Sequence, residues 1–307
     1  MRAADLFAGG GGSSLGAQLA GADVVFAANH WTEAVDLHSR HHPETVHACQ
    51  DLRQFDFRTM PDVDLLMASP ACQGHSNAGR GARGKWGLAF DHHDATRSTA
   101  LAIIDALEAK KPAHLIVENV PQFTSWELFD WWVQGIRLLG YDVSHGTHVS
   151  SEFGVAQQRT RWFLHAFLNG KASTLSSPEL PIIPVREILD PSAKGWKPVS
   201  SKSDRVQERV AAGRRHGRSF ITQHVTGHRG RSLDQPLPTV TGQQQLALVD
   251  GNRMRPLTID EQGAAQGFPA GYFDSVRTKG AAAQMIGNAV PVPMMQHFVS
   301  QLLAETC

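Results

Sequence analysis

At 307 residues, 41% hydrophobic and 19% charged, with no apolar run of transmembrane length, the chain reads as a soluble globular protein: one large domain plus a smaller one. Asp5 falls where a signal peptide would need its apolar centre, and Cys49, Cys72 and Cys307 make no disulfide framework. Export is therefore not expected and a reducing cytoplasm is. Twenty-nine basic residues balance 29 acidic ones, which taken alone argues against a nucleic-acid partner.

The first half alternates short apolar runs with helical segments. Ala3 to Ala8 reads as a strand, Ser13 to Ala20 as a helix, Val24 to Ala28 as a strand and Thr32 to Arg40 as a helix. Val63 to Ala68 and His114 to Glu118 are further strands around a helix over Thr99 to Lys110. An amphipathic helix follows over Trp126 to Leu139, then strands over Tyr141 to His148 and Arg161 to Phe167. This alternation predicts an α/β fold with a mostly parallel sheet covered on both faces. The pattern dissolves near Asn169-Gly170. Residues 171–200 are rich in Ser and Pro, and helical periodicity returns only over Ile259 to Gln266 and Ala281 to Leu303. The expected organisation is a domain over 1–170, a smaller irregular domain over 171–250, and a segment over 251–307 returning to the first.

Charge is unevenly spread. From Lys194 to Arg231 stand ten Lys or Arg against two acids, Asp204 and Glu208. A basic face on an otherwise balanced chain fits a phosphate backbone; a solvated surface is the blander reading. His38 with His42, and His224 with His228, stand four apart. Neither pair has the Glu of a His-Glu-x-x-His motif or a nearby Cys pair, so no metal is predicted.

"DLFAGGGGSSLGAQLAG", residues 5–21, joins the first strand to the first helix. Its glycines allow a sharp turn and close approach of a ligand to free helix N–H groups. It is not a P-loop, since no Gly-Lys-Ser/Thr follows, and the second strand ends at Asn29-His30 without the acid a dinucleotide ribose would want. An adenosyl ligand without phosphates remains, beside the reading of a tight packing turn. A lone cysteine is most often an inert small hydrophobe, which suits Cys49 and Cys307. Cys72 differs: it lies just past the Val63 to Ala68 strand, and Glu118 ends another core strand, His114 to Glu118. Ligands of open α/β sheets bind beyond such ends, so a thiol, an acid and the glycine loop are expected to share one crevice.

Six segments in this order resemble the DNA (cytosine-5) methyltransferases over nearly the whole chain. "DLFAGGGGSSLG" looks like the S-adenosylmethionine loop, "SPACQGHS" the nucleophile motif and "ENV" the cytosine-holding acid motif; "QQRTR" (157–161), "RPLTIDEQGAAQGFP" (255–269) and "QMIGNAVPVPM" (284–294) match later motifs. The resemblance implies a Rossmann-like S-adenosylmethionine-dependent sheet with a smaller target-recognition domain, here the basic insert. It implies that Cys72 attacks carbon 6 of a flipped-out cytosine in double-stranded DNA, that Glu118 binds the exocyclic amine and ring nitrogen 3, and that Arg161, with Arg159, holds the base carbonyl and the site. The glycine-rich segment 77–90 would close over the base. For the cofactor it assigns Phe7, Gly9 and Gly11 to the methionine end, His30 and Trp31 to ribose and adenine, Asp51 to the adenine amine, and Asn288 to closing the pocket. Gln73, Ser76, Thr239, Arg214, Arg215, Arg218, Arg229 and Arg231 are its DNA-binding candidates. The expected setting is a cytoplasmic, nucleoid-associated monomer, with no membrane partner and a companion restriction endonuclease.

Two positions depart from the family pattern. Ala71 stands where proline usually precedes the cysteine, with Pro70 one earlier, and His30 stands where an acid usually meets the ribose. A neutral imidazole still accepts one hydrogen bond. Competing readings are an RNA (tRNA) cytosine-5 methyltransferase on the same core and a non-catalytic DNA-binding homologue; the insert's size and charge favour DNA, and an intact Cys72, Glu118 and Arg161 favour catalysis.

Overall fold

A computed structural model of the chain describes residues 1–71, 98–225 and 227–305. The chain forms two compact units: Met1–Val149 with Thr160–Pro178 and Met294–Cys307, and Ser150–Arg159 with Glu179–Pro293. Cys72, Gln73, Ser76, the 77–90 segment and Cys307 lie outside the described residues.

The first unit is built on seven strands among the described residues: β1 (Arg2–Leu6), β2 (Asp23–Asn29), β3 (Val46–Cys49), β4 (Leu65–Ala68), β5 (His114–Asn119), β6 (Tyr141–Val149) and β7 (Thr160–Leu168). Their order across the sheet is β3-β2-β1-β4-β5-β7-β6. β1 to β5 run parallel, while β7 is antiparallel to both β5 and β6. Every residue of β4 and β5 is buried, as expected of parallel strands covered on both faces. The covering helices are α1 (Gly12–Leu19), α2 (Thr32–His41), α3 (Leu101–Lys110) and α4 (Phe129–Leu138). α4 buries Phe129, Trp132, Val133 and Ile136, one apolar stripe at helical spacing. These side chains pack with Leu66, Ile103, Leu115, Val117 and Trp162 in one core cluster.

The strand expected over Ala3 to Ala8 ends at Leu6, because Phe7 takes a left-handed backbone with φ 64°. That conformation costs a non-glycine residue roughly 1–2 kcal/mol, so the turn is held by its surroundings rather than by preference.

The second unit carries a five-stranded antiparallel sheet where an irregular domain was expected: β8 (Lys197–Pro198), β9 (Ser219–Gln223), β10 (Arg231–Ser232), β11 (Leu246–Asp250) and β12 (Arg253–Pro256), in the order β10-β9-β11-β12-β8. These strands are two to five residues long, too short to impose a readable alternation. Gly251-Asn252 joins β11 to β12, with Gly251 at φ 56°, the left-handed geometry a two-residue hairpin demands. Helix α5 (Asp204–Gly213) contributes Val210 to a small core with Val199, Phe220, Ala247, Val249 and Met254.

Three more helices follow: α6 (Ile259–Ala264), α7 (Lys279–Asn288) and α8 (Val292–Glu305). The continuous periodicity of Ala281 to Leu303 is thus two helices. Ala289 is extended, with ψ 148°, and Pro291 bars the preceding residue from helical backbone. The return to the first unit comes at Met294.

A buried ion pair organises the start of α6. Arg255 Nη1 and Nη2 meet Glu261 Oε2 and Oε1 at 2.7 and 2.6 Å. Glu261 also closes a capping box with Thr258 and accepts the Asp190 N–H at 2.9 Å. The Arg255 guanidinium lies over the Trp196 ring, 5.3 Å from its centroid. Removing one partner of such a pair leaves a buried charge uncompensated. Glu261→Ala should therefore destabilise the protein by about 3–5 kcal/mol, read by urea unfolding, whereas Glu261→Ala with Arg255→Met should recover part of that loss.

Candidate active site

In this sheet the chain winds outward in opposite directions from β1 and β4, so the switch point lies between them and ligands belong at the carboxyl ends. The residues there are those the sequence singled out. β1 runs into the loop at Phe7, β2 ends at Asn29, β4 ends at Ala68, and β5 ends at Glu118-Asn119. Because β7 is antiparallel, its beginning reaches the same edge, with Asn119 opposite Trp162 and Arg161 one residue earlier.

At that edge Arg161 Nε lies 2.8 Å from Glu118 Oε1, both side chains buried. Arg161 Nη1 also donates to the Thr160 carbonyl at 2.8 Å. A carboxylate so deep in the sheet is costly unless paired, and Arg161 supplies the pairing. Next to it the Asn119 side-chain amide donates to the Pro70 carbonyl at 3.0 Å, while its Oδ1 accepts the Val120 N–H at 2.8 Å. Ala71 N–H donates to Thr99 Oγ1 at 3.1 Å. The two residues before Cys72 are therefore fastened, one to the neighbour of Glu118 and one to the start of the α3 segment. Neither Asn119 nor Thr99 was singled out in the sequence, although a polar residue inside the buried end of β5 is the kind of signal that marks such a tie.

Arg159 is placed differently from Arg161. It lies in the second unit, fully buried, and its Nη1 and Nη2 donate to the Val240, Gly287 and Ala289 carbonyls at 2.9, 2.8 and 3.3 Å. It clamps the turn after Thr239 to the end of α7. The clamp needs Gly287: a Cβ there would sit 2.2 Å from the Gly242 nitrogen. Gln157 completes the knot, accepting the Val240 N–H at 2.7 Å and donating to the Ala265 carbonyl at 3.1 Å. Asn288, the last residue of α7, is exposed.

Around the glycine loop, Gly9 and Gly11 have φ 53° and 88° and Gly11 precedes α1 as its cap. Asn29 Oδ1 accepts the Trp31 N–H at 2.9 Å, a side-chain turn that leaves His30 exposed and Trp31 half-buried. Asp51 accepts the Arg53 N–H at 3.0 Å and pairs with its guanidinium, Oδ2 to Nη2 at 2.5 Å. This hydrogen bonding to Arg53 holds the Asp51 carboxyl below the usual carboxylate range, with a small contribution from His30. An adenine amine at Asp51 would share the carboxylate with Arg53.

The DNA-binding candidates that are described all lie in the second unit. Arg214 donates to Asn252 Oδ1 at 3.1 Å, Arg215 to His216 Nε2 at 3.2 Å, and Arg218 to Asp250 Oδ1 at 3.0 Å. Together with exposed Arg229 they present cations near the Ser219 and Asp250 end of the five-stranded sheet and the loop beyond β9. Arg231 is half-buried, donating from Nη2 to Gln158 Oε1 at 2.7 Å, and the Thr239 hydroxyl donates to the Gln158 carbonyl at 3.3 Å.

A parallel sheet with this switch point, a glycine loop on β1 and a buried acid ending β5 beside the anchored approach to Cys72 is the architecture of a Rossmann-like methyltransferase. The family described as C-5 cytosine-specific DNA methylase matches residues 1–304. Among curated relatives, the type II methyltransferase M.NlaX of Neisseria lactamica is 30% identical over 319 residues, covering 98% of this chain and 95% of its own. M.HindV of Haemophilus influenzae is 27% identical over 323 residues, covering 99% and 96%. The S. pombe Dnmt2 methyltransferase structure superposes with a TM-score of 0.71 at 19% identity, covering 100% of this chain and 99% of its own. The chain belongs to the C-5 cytosine-specific DNA methylase family, and its activity is methylation of DNA at carbon 5 of cytosine. Among the described residues, no helix is long and apolar enough to cross a membrane.

Proposed function

We propose that the chain is a DNA (cytosine-5-)-methyltransferase of a type II restriction-modification system, using S-adenosyl-L-methionine and a covalent Cys72 adduct. The supporting observation is the tie between Asn119 and Pro70: it fixes the chain two residues before Cys72 beside the Glu118–Arg161 pair. The loop fits the donor. Residues 7–14 carry no Lys or Arg to neutralise phosphates, while the left-handed residues Phe7, Gly9 and Gly11 shape a turn that admits a ligand to backbone N–H groups.

Phe7, Gly9 and Gly11 would hold the methionine end, and Trp31, His30 and Asp51 the nucleoside, with Asn288 closing the pocket. The bound donor supplies an electrophilic methyl group on a positively charged sulfur. Carbon 5 of cytosine is a poor nucleophile until the Cys72 thiolate adds at carbon 6 and converts the ring to an enamine. Glu118 accepts a hydrogen bond from the exocyclic amine and gives ring nitrogen 3 a proton as the thiolate adds, taking it back when Cys72 leaves; Arg161 holds Glu118 in place and balances the carboxylate formed in between. Once carbon 5 carries the methyl, a water base removes its proton. The electrons restore the 5,6 double bond as the carbon–sulfur bond breaks and Cys72 leaves as thiolate.

The arginines of the second unit would grip phosphates and guanine edges, and Gln73, Ser76 and Thr239 would add further DNA contacts. A companion endonuclease, a monomeric state and a cytoplasmic, nucleoid-associated location complete the reading. Incubation with tritiated S-adenosylmethionine tests it: label should enter duplex DNA and not transfer RNA, and bisulfite sequencing of DNA from an expressing host should show methylated cytosine in one sequence context. Label entering transfer RNA alone would overturn the DNA assignment.

A further inference from the structure

Beneath the glycine loop a chain of polar groups, buried except at its outer end, crosses from β1 to β3. The Ser14 hydroxyl is 2.7 Å from Asp5 Oδ2, and the Ser14 backbone also donates to that carboxyl. His38 Nε2 is 2.9 Å from Ser14 Oγ, and His38 Nδ1 is 2.8 Å from His47 Nε2. Asp5, Ser14 and His38 are all buried, while His47 is half-exposed on β3 and hydrogen-bonded to the backbone of Thr45. Asp5 and Ser14 stand at opposite ends of the loop, so their contact closes its base. Asp5 Oδ1 is buried with no hydrogen-bond partner among the described residues.

Resting on the reading of this loop as the methyl-donor loop, we propose that Asp5 is a positioning residue for the cationic donor and that Ser14, His38 and His47 form a proton wire setting its charge from the surface. Two arrangements fit the same heavy atoms. In one, Asp5 is a carboxylate accepting from the Ser14 hydroxyl; Ser14 Oγ accepts from His38 Nε2–H, and His38 Nδ1 accepts from His47 Nε2–H. In the other, every proton has moved one place inward: from His47 Nε2 to His38 Nδ1, from His38 Nε2 to Ser14 Oγ, and from Ser14 Oγ to Asp5 Oδ2. A solvent proton enters at His47 Nδ1 as the Nε2 proton leaves, so His47 stays neutral, Asp5 gains one proton and every atom between keeps its valence.

Such a wire needs a neutral middle ring, and burial drives the His38 pKa down to about 2, helped by His42, His47 and His41. Burial raises Asp5 to about 7, opposed by its bonds from Ser14. The other titratable groups acting here come from α2 and its end: His41, and His42, whose ring lies 4.3 Å from that of His38 and whose pKa burial lowers to about 4. α1 and β4 contribute no charged residue, β2 only Asp23 at its far end, and β1 only Arg2 besides Asp5. Ionised Asp5 favours a positively charged ligand and holds Ser14 by charge-assisted bonds.

The sign follows. Below neutral pH Asp5 gains its proton and donor affinity falls; above it affinity is full. Titration calorimetry on the full chain should show S-adenosylmethionine binding about eightfold weaker at pH 6 than at pH 7.5, the ratio set by one proton with a pKa of about 7. S-adenosylhomocysteine, which has the same amino acid end but no sulfonium charge, should weaken less. Asp5→Asn should flatten the profile. His47→Phe, at a half-exposed site, removes the outer acceptor that favours protonated Asp5 and should move the midpoint to lower pH. A flat wild-type profile, an unchanged fall in Asp5→Asn or an unmoved midpoint in His47→Phe would each overturn the wire. Absence of binding by either compound at any pH would overturn the donor reading beneath it.

Discussion

Cys72→Ser should abolish methyl transfer to duplex DNA while leaving the fold and donor binding unchanged. A hydroxyl is far less ionised than a thiol at neutral pH and a much weaker nucleophile. Without addition at carbon 6, carbon 5 keeps its low reactivity. The expected loss is on the order of 10³-fold or more, about 4 kcal/mol of transition-state stabilisation. Label transfer in single-turnover conditions measures it, with calorimetry of S-adenosylhomocysteine as the control for an intact first unit. Retention of a tenth of the activity would remove Cys72 from the chemistry.

Glu118→Gln should be nearly as damaging, and for two separable reasons. It takes away the carboxyl group proposed to receive the exocyclic amine, a role that general acid–base catalysis values at about 10²–10⁴ in rate. It also leaves Arg161, buried and 2.8 Å from Glu118 Oε1 in the native chain, without its counter-charge. Breaking a buried pair costs about 3–5 kcal/mol of stability. Thermal unfolding and kinetics separate the effects. Glu118→Gln with Arg161→Met should regain much of the melting temperature and none of the activity. Full activity in that double variant would make the pair a structural device only.

The fold was legible where local pattern carries it. Leu65 to Ala68 and Leu115 to Val117 are apolar on every position, which only a strand covered on both faces requires, and the position of Glu118 at the end of one such run already marked it as unusual. The glycine loop announced its turn, although not that Phe7 itself would turn left-handed. What local pattern does not carry is who meets whom. The Asn119 amide finds the Pro70 carbonyl only because β4 and β5 pair in register, Ala68 against Val117. Arg159 and Arg161 alternate in sequence as equals, yet one closes a backbone knot in the second unit and the other pairs with Glu118 in the first. The four-residue spacing of His38 and His42 suggested at most a metal pair. In the fold their rings lie 4.3 Å apart and tilted by 33°, and both nitrogens of His38 are engaged by Ser14 and His47. Asp51, assigned to adenine by resemblance, proves to be paired with Arg53 two residues away, a contact the sequence permits and only the 3-10 turn at Leu52–Gln54 enforces.

The most direct test replaces the target cytosine by 5-fluorocytosine in a duplex carrying the recognised sequence. Fluorine in place of the carbon-5 hydrogen leaves nothing for the base to remove, so the enzyme should remain bonded to the DNA when S-adenosylmethionine is present. A complex that survives denaturing electrophoresis, with the modified peptide containing Cys72, is the predicted result. A protein that binds both donor and duplex yet forms no such bond, or forms it through another residue, would contradict the account.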